Sequence, residues 1–328
     1  MQSPQTGRAA RTHRDRRDAL SMLIGPYDRA DRFPDEMRAR GLEVVPTYCA
    51  SPLRRQRLAL TGEFDVAEMF LGRYLADLSV RSLEYTALPV FTKRMFVHRS
   101  VFVRVDGSAE ILLRNRDRPL KVGIQSWLTT TAIWARALLE KDYDFNMSRA
   151  QWVIERVDES AWTPPDWLEW RSAGSPGALY KGLASGAIDV AISSHDLRRA
   201  DLGIKHLYQN VFERERSEYV DTGVYPLMHV LTVKTDLLRR QPSVGVAIVE
   251  AWRDATRLAC QAAVDGLEYG SSPWPPGAFI GWDVDKMVTE FAPDLSTVTP
   301  ALQALLRHAR DQAIVPAHCS LEDLFVVV

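Results

Sequence analysis

Four side chains able to hold or move charge, Lys93, Arg94, His98 and Arg99, fall within seven positions of LPVFTKRMFVHRSVFV, residues 88–103. The Val and Phe around them favour a sheet, and cations in the middle of an apolar segment need an anion or solvent to face. Such a segment is either a strand leading into a cleft or an edge strand with solvated charge. A second group, Tyr27-Asp28-Arg29, follows a short apolar run ended by Gly25-Pro26. That puts it on a loop at the carboxyl end of a strand, where open α/β sheets bind ligands. A third candidate is the Ser- and Thr-rich entry to the helix expected over 129–141. A helix start of this kind attracts anions, carboxylates included, although capping alone also accounts for such residues.

Several other chemistries lack their signatures. There is no Walker A sequence, no G-x-S-x-G elbow, no H-E-x-x-H and no G-x-G-x-x-G after a strand. His195-Asp196, and His308 with His318-Cys319, are the nearest approach to metal-ligand pairs, but their spacings match no standard site, so no metal is expected. An acid–base and electrostatic site, or a plain binding cleft, is what remains.

The elements that must position these residues alternate between strand and helix. SMLIG, from Ser21, reads as a buried strand, Phe33 to Arg40 as a helix stopped by Gly41, and LEVVPTY as the next strand. An arginine-rich helical stretch, Ser51 to Leu60, then gives way through Gly62 to EFDVAEMF. A later helix, with Ser175 as N-cap and Pro176 at its first position, stops at Gly186 before AIDVAIS. Residues 62–67 (GEFDVA) and 186–191 (GAIDVA) are thus one phrase of helix, glycine and buried strand. Either the phrase recurs by coincidence, as α/β units allow, or two similar lobes each bring a strand end to a shared groove. VDTGVYPLMHVLTVK carries His229 in a further turn and strand, ahead of long helices at 244–263 and 299–312. SSPWPPGAFIGW, with Trp274, is a proline and aromatic loop long enough to cover a site.

Acidic and basic residues nearly balance, 42 against 41, so neither a polyanion partner nor nucleic acid is expected. Cys49, Cys260 and Cys319 lie far apart, which suits reduced thiols in a cytoplasm better than a disulfide framework or zinc site. Residues 1–20 hold five arginines and no apolar core, so they read as a disordered basic tail and the protein as not exported. No run approaches the ~18 apolar residues of a membrane span, so the chain is expected to be soluble and to have no membrane partner.

Taken in order, these pieces resemble the 4,5-dihydroxyphthalate decarboxylases and their relatives, from about Ser21 to Phe325. The resemblance rests on Tyr27-Asp28-Arg29, on FDVAEM with Tyr74, and on PVFTKRMFVHRSVFV with Arg94, Phe96 and His98. It continues through KVGI with Thr130, Ala132, Trp134 and Arg136, then TGVYPLMH with Gly223, Pro226, Met228 and His229, the Trp274-Pro275 loop, and SLEDLF. Departures stand at Gly72-Arg73, Ser126, Leu128, Pro276 and Trp282-Asp283. The resemblance implies a type II periplasmic-binding-protein-like fold of class α/β. Its two lobes, each a mixed sheet flanked by helices, would be residues 21–104 with 223–328, and 105–222, with the ligand cleft between them.

It also implies a cofactor-independent decarboxylase acting on a hydroxylated aromatic carboxylate. Loss of CO2 from an aromatic ring needs a hydroxyl whose deprotonation lets the ring carbon take a proton first. On this basis His98 and His229 are expected to carry the proton transfers, with Asp28 and Glu68 orienting a histidine or binding a hydroxyl. Arg29 and Arg94 are expected to clamp carboxylates, Thr130 to hold an anion at its helix start, and Tyr27 and Trp274 to contact the substrate. No cofactor is required. The alternatives are a non-catalytic intracellular binding protein, or a dehydratase or synthase of the menaquinone type on the same fold. The sequence leaves a homo-oligomer open.

Overall fold

Each of the two repeated phrases fastens a sheet. The structure, a computed structural model, describes residues 19–80, 84–115, 118–157, 160–269 and 284–325. It begins β1 (Leu20–Ile24), α1 (Asp28–Ala39), β2 (Val44–Tyr48), α2 (Pro52–Ala59), β3 (Val66–Phe70), α3 (Leu71–Val80), β4 (Tyr85–Ala87) and β5 (Lys93–Arg94). The chain then crosses over to β6 (Val101–Arg104), α4 (Ser108–Asn115), β7 (Lys121–Ile124), α5 (Thr130–Tyr143), β8 (Gln151–Ile154), β9 (Trp170–Ser172), α6 (Ala178–Ser185), β10 (Val190–Ile192) and β11 (Ile204–His206). It returns through α7 (Val211–Thr222) to β12 (Leu227–Lys234), α8 (Thr235–Arg240), α9 (Ser243–Tyr269), α10 (Val284–Phe291) and α11 (Leu295–Asp311).

One sheet runs β2-β1-β3-β12-β4 with β5 on β12, and the other β11-β6-β10-β7-β8-β9. In the first, β1, β2 and β3 are parallel and β12 antiparallel; in the second, β7 to β10 are parallel and β6 antiparallel. β6, which the expected division after residue 104 groups with the first lobe, pairs in the second sheet. The central parallel strand β3 is covered on both faces, which is why VAEMF reads as a nearly unbroken apolar run around Glu68, whereas the edge strands β2 and β9 are largely exposed.

The phrase at 62–67 and its copy at 186–191 act alike. Gly62 and Gly186 both adopt a positive φ, 75° and 76°, the left-handed turn that ends the preceding helical stretch and aims the chain into the sheet. The aspartate three residues on then anchors the start of the neighbouring parallel strand. Asp65 accepts from the Ser21 N–H at 2.9 Å and Ser21 Oγ at 2.8 Å, while Asp189 accepts from the Lys121 N–H at 2.9 Å and both Arg118 guanidinium nitrogens at 2.8 Å. α6 begins at Ala178 rather than at Pro176, after a turn in which the Ala178 N–H bonds the Ser175 carbonyl.

One apolar core runs through both lobes, joining Leu71 and Val230 to Val101, Trp127, Ile133 and, from α11, Leu302 and Leu305. Fully buried Arg136 sits within it, donating to Gln312 Oε1 at 2.8 Å and the Trp127 carbonyl at 2.9 Å, with its guanidinium 3.8 Å from the Trp127 ring. Tyr74 and Trp134 are buried here, Tyr74 bonding the Leu324 carbonyl and Trp134 the Leu227 carbonyl, each at 3.0 Å.

α3 and α5 meet at Gly72. A Cβ there would lie 2.7 Å from the Leu128 carbonyl oxygen and 2.6 Å from Ile133 Cδ1, and backbone cannot yield as a flexible side chain does. Gly72→Ala is therefore expected to lower unfolding free energy by about 1–3 kcal/mol, measured by urea denaturation.

Candidate active site

Register places the chemistry at the carboxyl end of β3. His229 lies opposite Phe70 on one side and Lys93 on the other, and Leu231 lies opposite Glu68. Side chains two apart share a face, and directly opposed residues share it too, so Glu68, Phe70, Lys93 and His229 project together.

Glu68 is the hub. Its carboxylate is 1% exposed and accepts from the Gly25 N–H at 2.7 Å, Tyr27 Oη at 2.7 Å and Arg55 Nη2 at 2.9 Å, with His229 Nδ1 at 2.5 Å. Burial alone would raise its pKa, but the His229 hydrogen bond, the Arg55 charge and the Tyr27 hydroxyl outweigh that and hold it at about 2. Burial lowers the His229 pKa below the ordinary histidine value, with Glu68 opposing the shift, so the imidazole is neutral near pH 7. Its Nδ1–H then donates to Glu68, and the Nε2 lone pair is left for a ligand. Burial and the Glu68 charge push the Tyr27 hydroxyl well above the usual phenol range, which keeps it a donor.

His229 lines a cavity of about 440 Å³. Ser51, Phe70 and Lys93 join it from the first lobe. The facing wall comes from the second lobe: Thr129, Thr130 and Thr131 at the start of α5, and Ser194 and His195 after β10. Both sheets thus present the carboxyl ends of their parallel strands to one space. Phe70 lies 5.0 Å from the His229 ring, giving an apolar face beside a proton acceptor. The Lys93 ammonium makes no hydrogen bond or ion pair with any described residue, and burial lowers its pKa below the usual lysine value. α5 opens on the cavity with Thr129 as N-cap and no side-chain cap, and Thr130 and Thr131 line the wall, while the Ala132 and Ile133 N–H groups bond the Thr129 carbonyl at 2.9 and 3.2 Å.

Of the residues expected from sequence, Glu68, His229 and Tyr27 come together and Thr130 joins the cavity wall. The Thr130 hydroxyl, however, is engaged in bracing the lobes, donating to the Met228 carbonyl at 2.8 Å and accepting from the Gly72 N–H at 2.9 Å. Tyr27 and Glu68, bonded to each other, do not themselves line the cavity, and neither do Arg29, Arg94, His98 and Asp28. Arg29 is packed 5.2–5.6 Å from the rings of Tyr27, Trp252 and Phe291 and bonds the Thr92 carbonyl at 3.0 Å. Asp28, exposed at the start of α1, pairs with Arg29 at 3.4 Å. Arg94 is an internal ion pair with Glu290 at 3.0 Å, its guanidinium 4.5 Å from the Tyr225 ring. His98 is buried in the crossover between β5 and β6, 5.1 Å from the Tyr208 ring. Trp274 lies outside the described residues.

Three participants were not assigned in advance. Arg55 was hidden among Arg54 and Arg57; what distinguishes it is its place with Gln56 and Ala59 on the buried face of α2. Lys93 carries no assigned role in the sequence, and His195 enters it only beside Asp196 as a metal-ligand pair. Among the described residues no three His, Cys, Asp or Glu gather as a metal site would require, and no helix is long and apolar enough to cross a membrane.

No protein-family profile matches the chain. Two curated relatives do, both named 4,5-dihydroxyphthalate decarboxylase. That of Comamonas testosteroni is 26% identical over 253 residues, 73% of this chain and 75% of its own, and that of Pseudomonas putida is 26% identical over 180 residues, 53% and 69%. The resemblance read from the sequence is thereby borne out. Among solved structures, the periplasmic sulfonate-binding protein SsuA of Methylobacillus flagellatus matches with TM-score 0.53 and 14% identity, over 94% of this chain and 92% of that one. The desulfurization enzyme DszB matches with TM-score 0.53 and 16% identity, over 94% and 96%. The ligand-binding component of an import system from Staphylococcus aureus, solved with zinc bound, matches with TM-score 0.51 and 12% identity, over 94% and 96%. The two-lobed type II periplasmic-binding-protein-like fold is therefore this chain's own, a fold shared by binding proteins and an enzyme.

Acid should loosen the site in two stages. An unfolded chain takes up protons at ordinary histidine and glutamate pKa values before the folded His229 and Glu68 do, so stability falls as pH drops. The histidine part begins near pH 6.5, and the Glu68 part is full above its ordinary value of 4.5 and lost towards about 2. Glu68→Gln is expected to flatten the lower stage and, by leaving Arg55 buried without a counter-charge, to destabilise the protein at pH 7 by about 3–5 kcal/mol. Urea denaturation at stepped pH reads both effects.

Proposed function

We propose that this chain is a decarboxylase of a hydroxylated aromatic carboxylate bound between the lobes. The observation that carries the proposal is a neutral imidazole held by a buried carboxylate at the wall of a cavity that also contains an unpaired ammonium. The names of the two curated relatives support the reaction type.

The ring lies against Phe70, with its carboxylate on Lys93 and the N–H groups that open α5. His229 Nε2 takes the hydroxyl proton, and Glu68 holds the imidazole in the required tautomer and stabilises the imidazolium that forms. Electron density from the oxygen passes to the ring carbon bearing the carboxylate, and that carbon accepts a proton from His195 on the facing wall. The bond to the carboxylate then breaks, its electron pair restores the aromatic ring, and CO2 departs. His229 returns its proton to the oxygen, and solvent-exposed His195 recovers its own from water. His195 thus stands with His229 in the proton-transfer pair for which the sequence suggests His98.

Following CO2 release from a panel of hydroxybenzoates and hydroxyphthalates tests the reading. At least one compound is expected to turn over. A compound that binds in the cavity while none is ever turned over would leave a non-catalytic binding protein as the better account. With a substrate in hand, His229→Ala and His195→Ala are each expected to lower kcat by about 10²–10⁴-fold, whereas His98→Ala leaves it within about threefold, since residue 98 lies off the cavity wall. Lys93→Ala is expected to raise KM by about 10–100-fold, the worth of a hydrogen bond to a charged group. Because burial lowers the His229 pKa, the acid limb of kcat/KM should lie below pH 6.5; a limb above that value would remove residue 229 from the role of base.

A further inference from the structure

The two walls of the cavity differ in the sense of the hydrogen bonds they have left to make. On the second lobe each hydroxyl already gives its proton to the protein. Thr129 Oγ1 donates to the Ser126 carbonyl at 3.2 Å, Thr130 Oγ1 to the Met228 carbonyl at 2.8 Å, Thr131 Oγ1 to Met228 Sδ at 3.8 Å, and Ser194 Oγ to Gln125 Oε1 at 2.8 Å. A hydroxyl has one proton and two lone pairs, so Thr129, Thr131 and Ser194 have only acceptors left for a ligand. The first lobe is the reverse. Ser51 Oγ accepts from the Arg54 N–H at 3.4 Å, which leaves its proton to give, and the Lys93 ammonium is a donor only. Among the described residues that line this cavity, Lys93 is the one lysine or arginine. Arg57, Arg73 and Arg156 line an adjoining space of about 80 Å³ that shares Phe70, and Arg73 is paired there with Asp77 at 2.7 Å.

We infer that the cavity selects a monocarboxylate whose ring also carries neutral hydrogen-bond donors, hydroxyl or amino groups, turned to Thr129, Thr131 and Ser194. This deepens the decarboxylase reading and relies on it for the seat of the ring. With one hydroxyl on His229 and the carboxylate beside it on Lys93, the remaining ring positions include those that face the second lobe. A donor at such a position completes a hydrogen bond. A second carboxylate meets lone pairs instead, with no cation on that wall to offset its lost hydration. The compound in the names of the two curated relatives carries two carboxylates. The substrate inferred here keeps a hydroxylated ring but has one negative charge, matching the single ammonium at the cavity wall.

The probes are salicylate and its derivatives carrying a second hydroxyl or a second carboxylate at ring position 3, 4, 5 or 6. Each is measured as Kd by calorimetric titration, or as KM where it is turned over, at fixed pH and salt. At one position or more, the second hydroxyl is expected to tighten binding about threefold or more, and a carboxylate at that same position to weaken it about tenfold. Ser194→Ala and Thr129→Val each remove an acceptor from the second-lobe wall, and at least one of them should abolish the hydroxyl gain. The gain is read as a ratio to salicylate within each protein, so a general weakening cancels. If salicylate binds and no position rewards a hydroxyl, if a second carboxylate tightens binding at any position, or if both variants keep the full gain, the inference is refuted and the decarboxylase reading stands. If neither salicylate nor any derivative binds, the seat proposed for the ring fails and the inference falls with it.

Discussion

A carboxylate with almost no access to water persists in a fold only if every oxygen is matched by donors, and Glu68 sets that condition here. Its partners come from four places: the turn after β1, the residue two beyond it, the inner face of α2, and the first half of β12. None can move without leaving charge or a donor stranded in a low-dielectric interior. The guanidinium of Arg55 offsets the negative charge, so the neutral imidazole need only orient. Lys93 is then left as a cation for whatever enters from solvent. The same network keeps the first lobe's loops in register with its sheet, so binding geometry and local stability share one set of contacts.

The facing wall has a different character. Thr130 is tied to β12 and to Gly72, while Ser194 is held by Gln125 at 2.8 Å and His195 is exposed. A ligand between the walls meets a rigid, buried proton acceptor on one side and a solvent-connected imidazole on the other. In the reaction proposed above, burial rather than side-chain chemistry is what would distinguish the two imidazoles.

How much of this was legible in the sequence varied from residue to residue. The glycine-aspartate phrases announced both sheets, because a left-handed turn and a strand anchor each demand one residue type. Glu68 and His229 were legible as ionisable groups inside apolar strands. The cluster at 93–99 misled, since four charged residues in one short segment have four separate fates. Lys93 reaches the cavity, Arg94 finds Glu290, His98 packs on Tyr208, and Arg99 pairs with Glu215 at 2.6 Å. The chain leaves one sheet and enters the other there, so the two-residue alternation of a strand stops after Arg94. The partners lie more than a hundred positions away, beyond any local pattern. Arg55 was masked for the opposite reason: three arginines crowd one helix, and only the direction of that helix decides which of them is enclosed.

Asp65 and Asp189 fasten parallel strands at their amino ends, whereas the cavity lies at the carboxyl ends of the parallel strands, with Lys93 and His229 reaching it from the amino ends of antiparallel β5 and β12. One pair of strand anchors is therefore lodged on the margin opposite the cavity, apart from the Glu68 network. Substitutions along the ligand-facing margin leave the stitching on the far margin untouched, so a lineage of such proteins can exchange one small acid for another, or catalysis for simple capture, while keeping its backbone.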